Sequence, residues 1–197
     1  MTHQTTPAAR RLLALLGASF ALVLTFSLCP ARSQGADSAA SGEVKLEVLN
    51  FDAFQARLAK AGTQNYKYTL VDAWSTTCGP CKENFPHLVE MNTKYAGKGL
   101  QVVSLSLDDT SDKKAIEAAK DFLKAKKAVF LNVLLDEEYG VGFEKLDINA
   151  IPAVFVFGPD GKLVKKYTLD DPKNQFTYEQ VEKDVAALLD GKPTASR

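Results

Sequence analysis

Cysteine and histidine are scarce in this chain of 197 residues: Cys29, Cys78 and Cys81, with His3 and His87, are all there are. A structural zinc ion takes four nitrogen or sulfur ligands. After Ser33 the chain offers only Cys78, Cys81 and His87, so one chain alone does not furnish a zinc site, and so few cysteines do not make a disulfide scaffold. Charge of one sign is missing as well, with 24 basic and 24 acidic residues. No basic excess marks a nucleic-acid partner. There are no internal repeats, and Gly140–Val141–Gly142 lacks the fingerprint of a phosphate-binding loop. Asp108, Asp109 and Asp112 read as a solvated loop and a helix start rather than a calcium site.

Long apolar runs are limited to one. Residues 1–11 are polar with two arginines, Leu12 to Cys29 is apolar, and Ala31–Arg32–Ser33 offers small residues where a signal peptidase reads. This predicts a cleaved signal peptide over 1–33, the alternative being an uncleaved anchor helix near the shortest membrane span. Leu28 before Cys29 argues against a lipoprotein site, and the surroundings of Arg10–Arg11 are poor for twin-arginine export. Losing Arg10, Arg11 and Arg32 from the 24 basic residues leaves 21 against 24 acidic, since no acidic residue precedes Asp37. Residues 34–43 are small and polar, a linker. One domain over 44–191 and a tail over 192–197 complete the expected organisation.

What remains is a concentrated signal. Both cysteines of the exported chain sit in Trp74–Ser75–Thr76–Thr77–Cys78–Gly79–Pro80–Cys81, between an apolar run, Tyr68 to Ala73, and a helical pattern. Unpaired amides and the positive end of the helix dipole favour the thiolate at Cys78, the species that attacks disulfides. Gly79 adds no side-chain bulk, and Pro80 suits a first turn where its missing N–H goes unused. Cys81, one turn on, resolves the mixed disulfide. The competing readings are two buried cysteines, half of a zinc site, or a structural staple, whose loop is too short to stabilise much.

Along the chain, Val44–Leu49 alternates as a strand, and Asn50 caps a helix that ends at Gly62. Tyr68–Ala73 predicts a strand buried on both faces. The helix from Cys78 carries Phe85, Leu88, Met91 and Tyr95, with a kink expected at Pro86, and Leu100–Leu107 is the next strand. Ser111–Lys127 is an amphipathic helix with Ile116, Ala119 and Leu123 inward, Val129–Leu135 a strand, and Glu138–Leu146 a further helix. Ile151–Phe157 and Leu163–Tyr167 form a hairpin about Gly158–Gly161. Thr177-x-x-Gln180 is a capping box opening the last helix, with Val181, Val185, Leu188 and Leu189 inward. This order predicts an α/β fold with a mixed central sheet.

The run Leu70–Trp74, then Cys78–Gly79–Pro80–Cys81–Lys82 and Pro86, resembles the thioredoxin signature. Ala150–Ile151–Pro152–Ala153–Val154–Phe155 resembles that superfamily's cis-proline segment. An added helix and strand before Pro152 is similar to the TlpA/ResA-like exported thiol-disulfide oxidoreductases. The resemblance implies a thioredoxin fold with that insertion, Cys78 as nucleophile, Cys81 as resolving thiol and Asp72 as the buried base for Cys81. Asp72 otherwise reads as a solvated or ion-paired strand-end aspartate. It also implies a cis bond before Pro152, with Ile151 offering backbone hydrogen bonds to an extended substrate, beside Gly79 and Pro80. Trp74 either flanks the disulfide or packs in the core.

Three departures stand out. Asn84 replaces the glutamate usual in TlpA/ResA-like proteins, and neighbouring Glu83 is turned about 100 degrees away on a helix. Ser104 replaces a thioredoxin lysine, and Thr77 replaces an aromatic common before the first cysteine. The expectation is an exported, periplasmic, monomeric protein-disulfide reductase with no cofactor or metal. Its implied partners are disulfide-bearing clients and a membrane thiol donor, with membrane attachment only if the leader is retained and with a place in cytochrome c maturation for some relatives. The alternatives are a dithiol oxidase or isomerase and a copper(I)-binding module, for which His87 offers no second histidine. The P-x-x-x-T-x-x-C context of a peroxidase is missing.

Overall fold

The computed structural model describes residues 42–173 and 175–194. The expected signal segment 1–33, nearly all of the linker and the last three residues lie outside the described residues. Six strands form one sheet: β1 (Glu47–Leu49), β2 (Tyr68–Trp74), β3 (Leu100–Ser106), β4 (Leu131–Leu135), β5 (Ala153–Phe157) and β6 (Leu163–Tyr167), in the order β1-β4-β3-β2-β5-β6. The first four strands of that order run parallel, while β5 is antiparallel to both β2 and β6. Among the described residues, α1 (Phe51–Ala59), α2 (Gly79–Tyr95), α3 (Lys113–Ala125) and α4 (Tyr139–Leu146) connect strands, and α5 (Tyr178–Leu189) follows β6.

Handedness places the layers. Parallel crossovers are almost always right-handed. The moves β2 to β3 and β3 to β4 step the same way across the sheet, so α2 and α3 share a face. The move from β1 to β2 steps back and puts α1 on the other face. The cores agree. Leu70 and Trp74 join Phe85, Leu88, Met91, Ala119, Leu123, Val181 and Val185 in one cluster. Val71 and Ala73 join Phe54, Leu58 and Leu146 in the second. Side chains alternate between faces along a strand, so β2 feeds both cores, and all its residues after Tyr68 are buried.

Local chemistry sets the element ends. Asn50 accepts a hydrogen bond from the Ala53 amide and caps α1, and Asp112 caps α3 by accepting from the Lys114 and Ala115 amides. Both are ordinary N-cap residues. α1 stops at Ala59, earlier than expected, and a 3-10 turn over Ala61–Gln64 follows. Gly161 has φ +76°, and a Cβ there would sit 2.8 Å from the Ala59 Cα. The hairpin turn thus packs onto α1 only because that position carries no side chain. Thr177 caps α5 by accepting from the Gln180 amide. The Gln180 side chain is turned along α5, where its amide donates to Asp184 Oδ1 at 2.9 Å. α2 continues through Pro86 as one helix.

Candidate active site at the start of helix α2

The loop from β2 to α2 is pinned before it reaches the cysteines. Asp108, just past β3, accepts from the Thr76 amide with both carboxylate oxygens at 3.0 Å. Its Oδ1 also accepts from the Thr76 hydroxyl at 2.6 Å, and its Oδ2 from the Ser106 hydroxyl at 2.7 Å. Asp108 was expected in a solvated loop and is instead buried. Burying a carboxylate is costly without donors, and here the donors converge from two segments of chain. Sequence reasoning missed this residue, and no local signal marks it, since Thr76 lies 32 positions away.

Cys78 is the N-cap of α2, with φ −83° and ψ 101°, and its Sγ accepts from the Cys81 amide at 3.2 Å. The sulfur therefore receives one of the helix's orphan N–H groups and faces the positive end of its dipole. Pro80 in the first turn has no amide to leave unpaired. Cys78 and Cys81 are joined as a disulfide with Cα atoms 5.3 Å apart. Cys78 is half-buried, Cys81 is wholly buried among α2 and sheet residues, and Gly79 and Pro80 are exposed.

The Ile151–Pro152 peptide bond is cis. Cys78 Sγ lies 3.8 Å from the Ile151 carbonyl oxygen, and Ile151 is half-buried while Pro152 is buried. The accessible surface about Cys78 thus includes Gly79, Pro80 and Ile151. Trp74 is not part of it. Its side chain is 0 % exposed, with ring centroids 5.4 Å from Phe85 and 5.0 Å from Phe122. A substrate has no surface of Trp74 to touch, and the geometry is that of core packing.

Asp72 sits mid-strand on β2, two residues from Leu70 and Trp74, and so faces the layer of α2 and α5. It is 0 % exposed. Its Oδ2 accepts from the Tyr178 hydroxyl at 2.9 Å, and Oδ1 has no hydrogen-bond partner among the described residues. Burial pushes the Asp72 carboxyl up to about 8, against the smaller opposing effect of the Tyr178 hydrogen bond. A carboxyl so placed exchanges protons near neutral pH. Glu83 is exposed, and Asn84 donates to the Pro80 carbonyl at 2.9 Å. Neither stands as a buried acid.

Tyr178 is the second residue that sequence reasoning passed over. The signal was present: Tyr178, Val181 and Val185 fall at i, i+3 and i+7, one helix face, and all three are buried. His87 was expected as a solvated helix residue. It is half-buried, and its ring stacks on Tyr178 with centroids 5.5 Å apart and planes 15° from parallel. Among the described residues, no three His, Cys, Asp or Glu side chains gather to hold a metal ion.

With this geometry in hand, likeness to other proteins carries weight. The profile of the Redoxin family matches residues 52–185. The chain belongs to the Redoxin family. Within this family setting it is 28% identical over 102 residues to the thiol-disulfide oxidoreductase ResA of Bacillus subtilis (strain 168), a match over 52% of this chain and 53% of that protein. It is 27% identical over 135 residues to ResA of Bacillus thuringiensis subsp. konkukian (strain 97-27), covering 68% of this chain and 74% of that one. The alignment with the Bacillus subtilis protein spans about half of that relative's length. The fold matches the solution structure of a thiol:disulfide interchange protein from Bacteroides sp., with TM-score 0.51 and 24% identity over 64% of this chain and 76% of that one. The architecture is a thioredoxin-like fold in which α3 and β4 precede the Pro152 segment, and with its Cys78–Cys81 pair the chain resembles the ResA thiol-disulfide oxidoreductases.

Proposed function

We propose that this protein is an exported thiol-disulfide oxidoreductase that reduces disulfides in other proteins. The observation that carries the reading is Cys78 as N-cap of α2 with the Cys81 amide on its sulfur, because that amide and the helix dipole stabilise a thiolate more than a thiol. In the reduced protein the Cys78 thiolate attacks one sulfur of a client disulfide. A Cys78–client bond forms, and the client's other sulfur leaves as a thiolate. Asp72 takes the proton of buried Cys81. The Cys81 thiolate then attacks Cys78 Sγ, the client's second sulfur departs as a thiolate, and Cys78–Cys81 closes as the disulfide seen here. Two electrons pass from this dithiol to the client.

The exposed rim supports a backbone-led mode of recognition. A client strand beside Ile151 finds main-chain groups next to the reactive sulfur, with Gly79 and Pro80 adding little steric bulk. The sequence resemblance to TlpA/ResA-like proteins extends the proposal to export, a monomer, recycling by a membrane thiol donor and a place in cytochrome c maturation. Among the described residues no helix is long and apolar enough to cross a membrane. Two measurements test the reading. Insulin reduction by the dithiol form must be lost in Cys78→Ser. Equilibration with glutathione must give a potential below the glutathione couple, since a value well above it makes the protein an oxidant. Stoichiometric copper(I) binding without insulin reduction would replace the reading with metal storage.

A further inference from the structure

Asp72 is one member of a row that crosses the sheet. Strand register aligns Asn132 of β4, Ser104 of β3, Asp72 of β2, Val154 of β5 and Tyr167 of β6. Most of its polar members are turned to other partners. Ser104 donates its hydroxyl to Asn132 Oδ1 at 2.8 Å, and the Asn132 amide donates to the carbonyls of Lys45, Ala128 and Phe130. Tyr167 donates to Asp184 Oδ2 at 2.8 Å, where Lys165 also lies at 2.8 Å. Val154 has nothing to offer. The donor to Asp72 comes from outside the sheet, from Tyr178 at the start of α5, 106 residues along the chain.

We propose that Tyr178 is a positioning residue for the exchange chemistry, its hydroxyl holding Asp72 Oδ2 so that Oδ1 is the atom that takes the Cys81 proton. The inference rests on the reading of Asp72 as that base. Three observations support it. Asp72 Oδ1 is buried with no partner among the described residues. The Tyr178 ring is fixed, with His87 stacked on it and Phe176 at 5.6 Å between centroids. The tyrosine also remains a donor, because burial first, and the neighbouring Asp72 charge next, drive its hydroxyl well above the ordinary tyrosine range. Tyr178 therefore holds the carboxylate without competing as a base.

The groups that bear on Asp72 are few. α2 carries Cys81, which lies in the core cluster with Leu70 and Trp74 of the same β2 face, and His87, stacked on the Tyr178 ring. α5 brings Tyr178, while its Asp184 faces Lys165 and Tyr167 and its Glu182 faces Lys94 and Tyr95. β3 and β5 bring Ser104 and Val154, which do not titrate. Removing the Tyr178 hydroxyl takes away the donor that favours the charged form, so Asp72 must keep its proton to higher pH.

The test is Tyr178→Phe in the full chain, with two readouts. One follows the Asp72 carboxyl carbon by NMR in the reduced protein across pH. The other follows single-turnover release of a chromogenic aryl thiol from a mixed disulfide on Cys78, again across pH. Both midpoints should rise by about 1 to 2 pH units, the effect of losing one hydrogen bond to a charged group. Resolution at neutral pH should fall about 10- to 100-fold and recover to the wild-type plateau in alkali. A rate lowered equally at every pH, with the carboxyl midpoint unmoved, would show a merely structural tyrosine and overturn the proposal. Asp72→Asn separates the two levels. If it slows resolution while Tyr178→Phe moves neither midpoint, the positioning role alone fails; if Asp72→Asn resolves at the wild-type rate, the reading of Asp72 as base fails and the proposal with it.

Discussion

Asp108 accepts both the backbone amide and the side-chain hydroxyl of Thr76, two residues before Cys78. A carboxylate beyond the end of β3 thereby fixes the loop through which β2 hands the chain to the helix of the cysteine pair. Leu107 adds a backbone bond to the Trp74 carbonyl at 2.8 Å. The reactive loop is tied at Trp74 and at Thr76 to the two residues that follow β3.

Asp108→Ala should therefore cost stability and reactivity together. It strands the buried Ser106 hydroxyl together with the half-buried Thr76 amide and hydroxyl, and a buried group left unsatisfied costs roughly 1–3 kcal/mol. Urea unfolding should show a loss of that size, with slower Cys78 alkylation at fixed pH. A loss below about 0.5 kcal/mol, the size usual for a surface substitution, would mean that the loop is held by other contacts.

Asp72 makes stability depend on pH in a defined direction. Its carboxyl is raised from 3.8 to about 8 in the folded protein, so the folded state binds a proton that the unfolded state has released throughout that interval. Stability from this group is full below about pH 4 and falls as pH rises towards about 8, at up to about 1.4 kcal/mol per unit. Asp72→Asn should flatten that slope and be more stable than the parent at pH 8. Thermal unfolding of the oxidised protein from pH 4 to 9 measures it, and an unchanged slope in the variant would locate the titration elsewhere.

The two cysteines should divide the work. Cys81→Ser keeps the attacking sulfur and lacks the resolving one, so client proteins should accumulate as covalent adducts on Cys78, visible by mass spectrometry and released by dithiothreitol. Cys78→Ser should trap nothing. Adducts on both variants would mean that Cys81 is itself accessible, against its full burial.

Much of this was legible in the chain because it is local. Strand periodicity, the Asn50 and Thr177 caps and the cysteine pair at a helix start each need only a few neighbouring residues, and the structure follows them closely. Strand and helix ends were less legible. β1 begins at Glu47 rather than Val44, and α3 is confined to Lys113–Ala125, because ladder pairing and caps, not composition, decide where an element stops. The site residues that were missed are those whose partners are distant in sequence. Asp108 meets Thr76 across 32 residues and Tyr178 meets Asp72 across 106, and only the assembled sheet brings them together. Trp74 shows the opposite limit: a motif residue beside the site in sequence is held by Phe85 and Phe122 inside the core.

The central claim is that Cys78 is the attacking thiolate, activated by the start of α2. Its most direct test is the rate of iodoacetamide alkylation of the reduced protein against pH, with the modified residue identified by mass spectrometry. The account predicts modification at Cys78 alone under native conditions, with an apparent pKa clearly below the ordinary cysteine value of about 8.5. An apparent pKa at or above that value, or native-state alkylation that persists in Cys78→Ser, would contradict it.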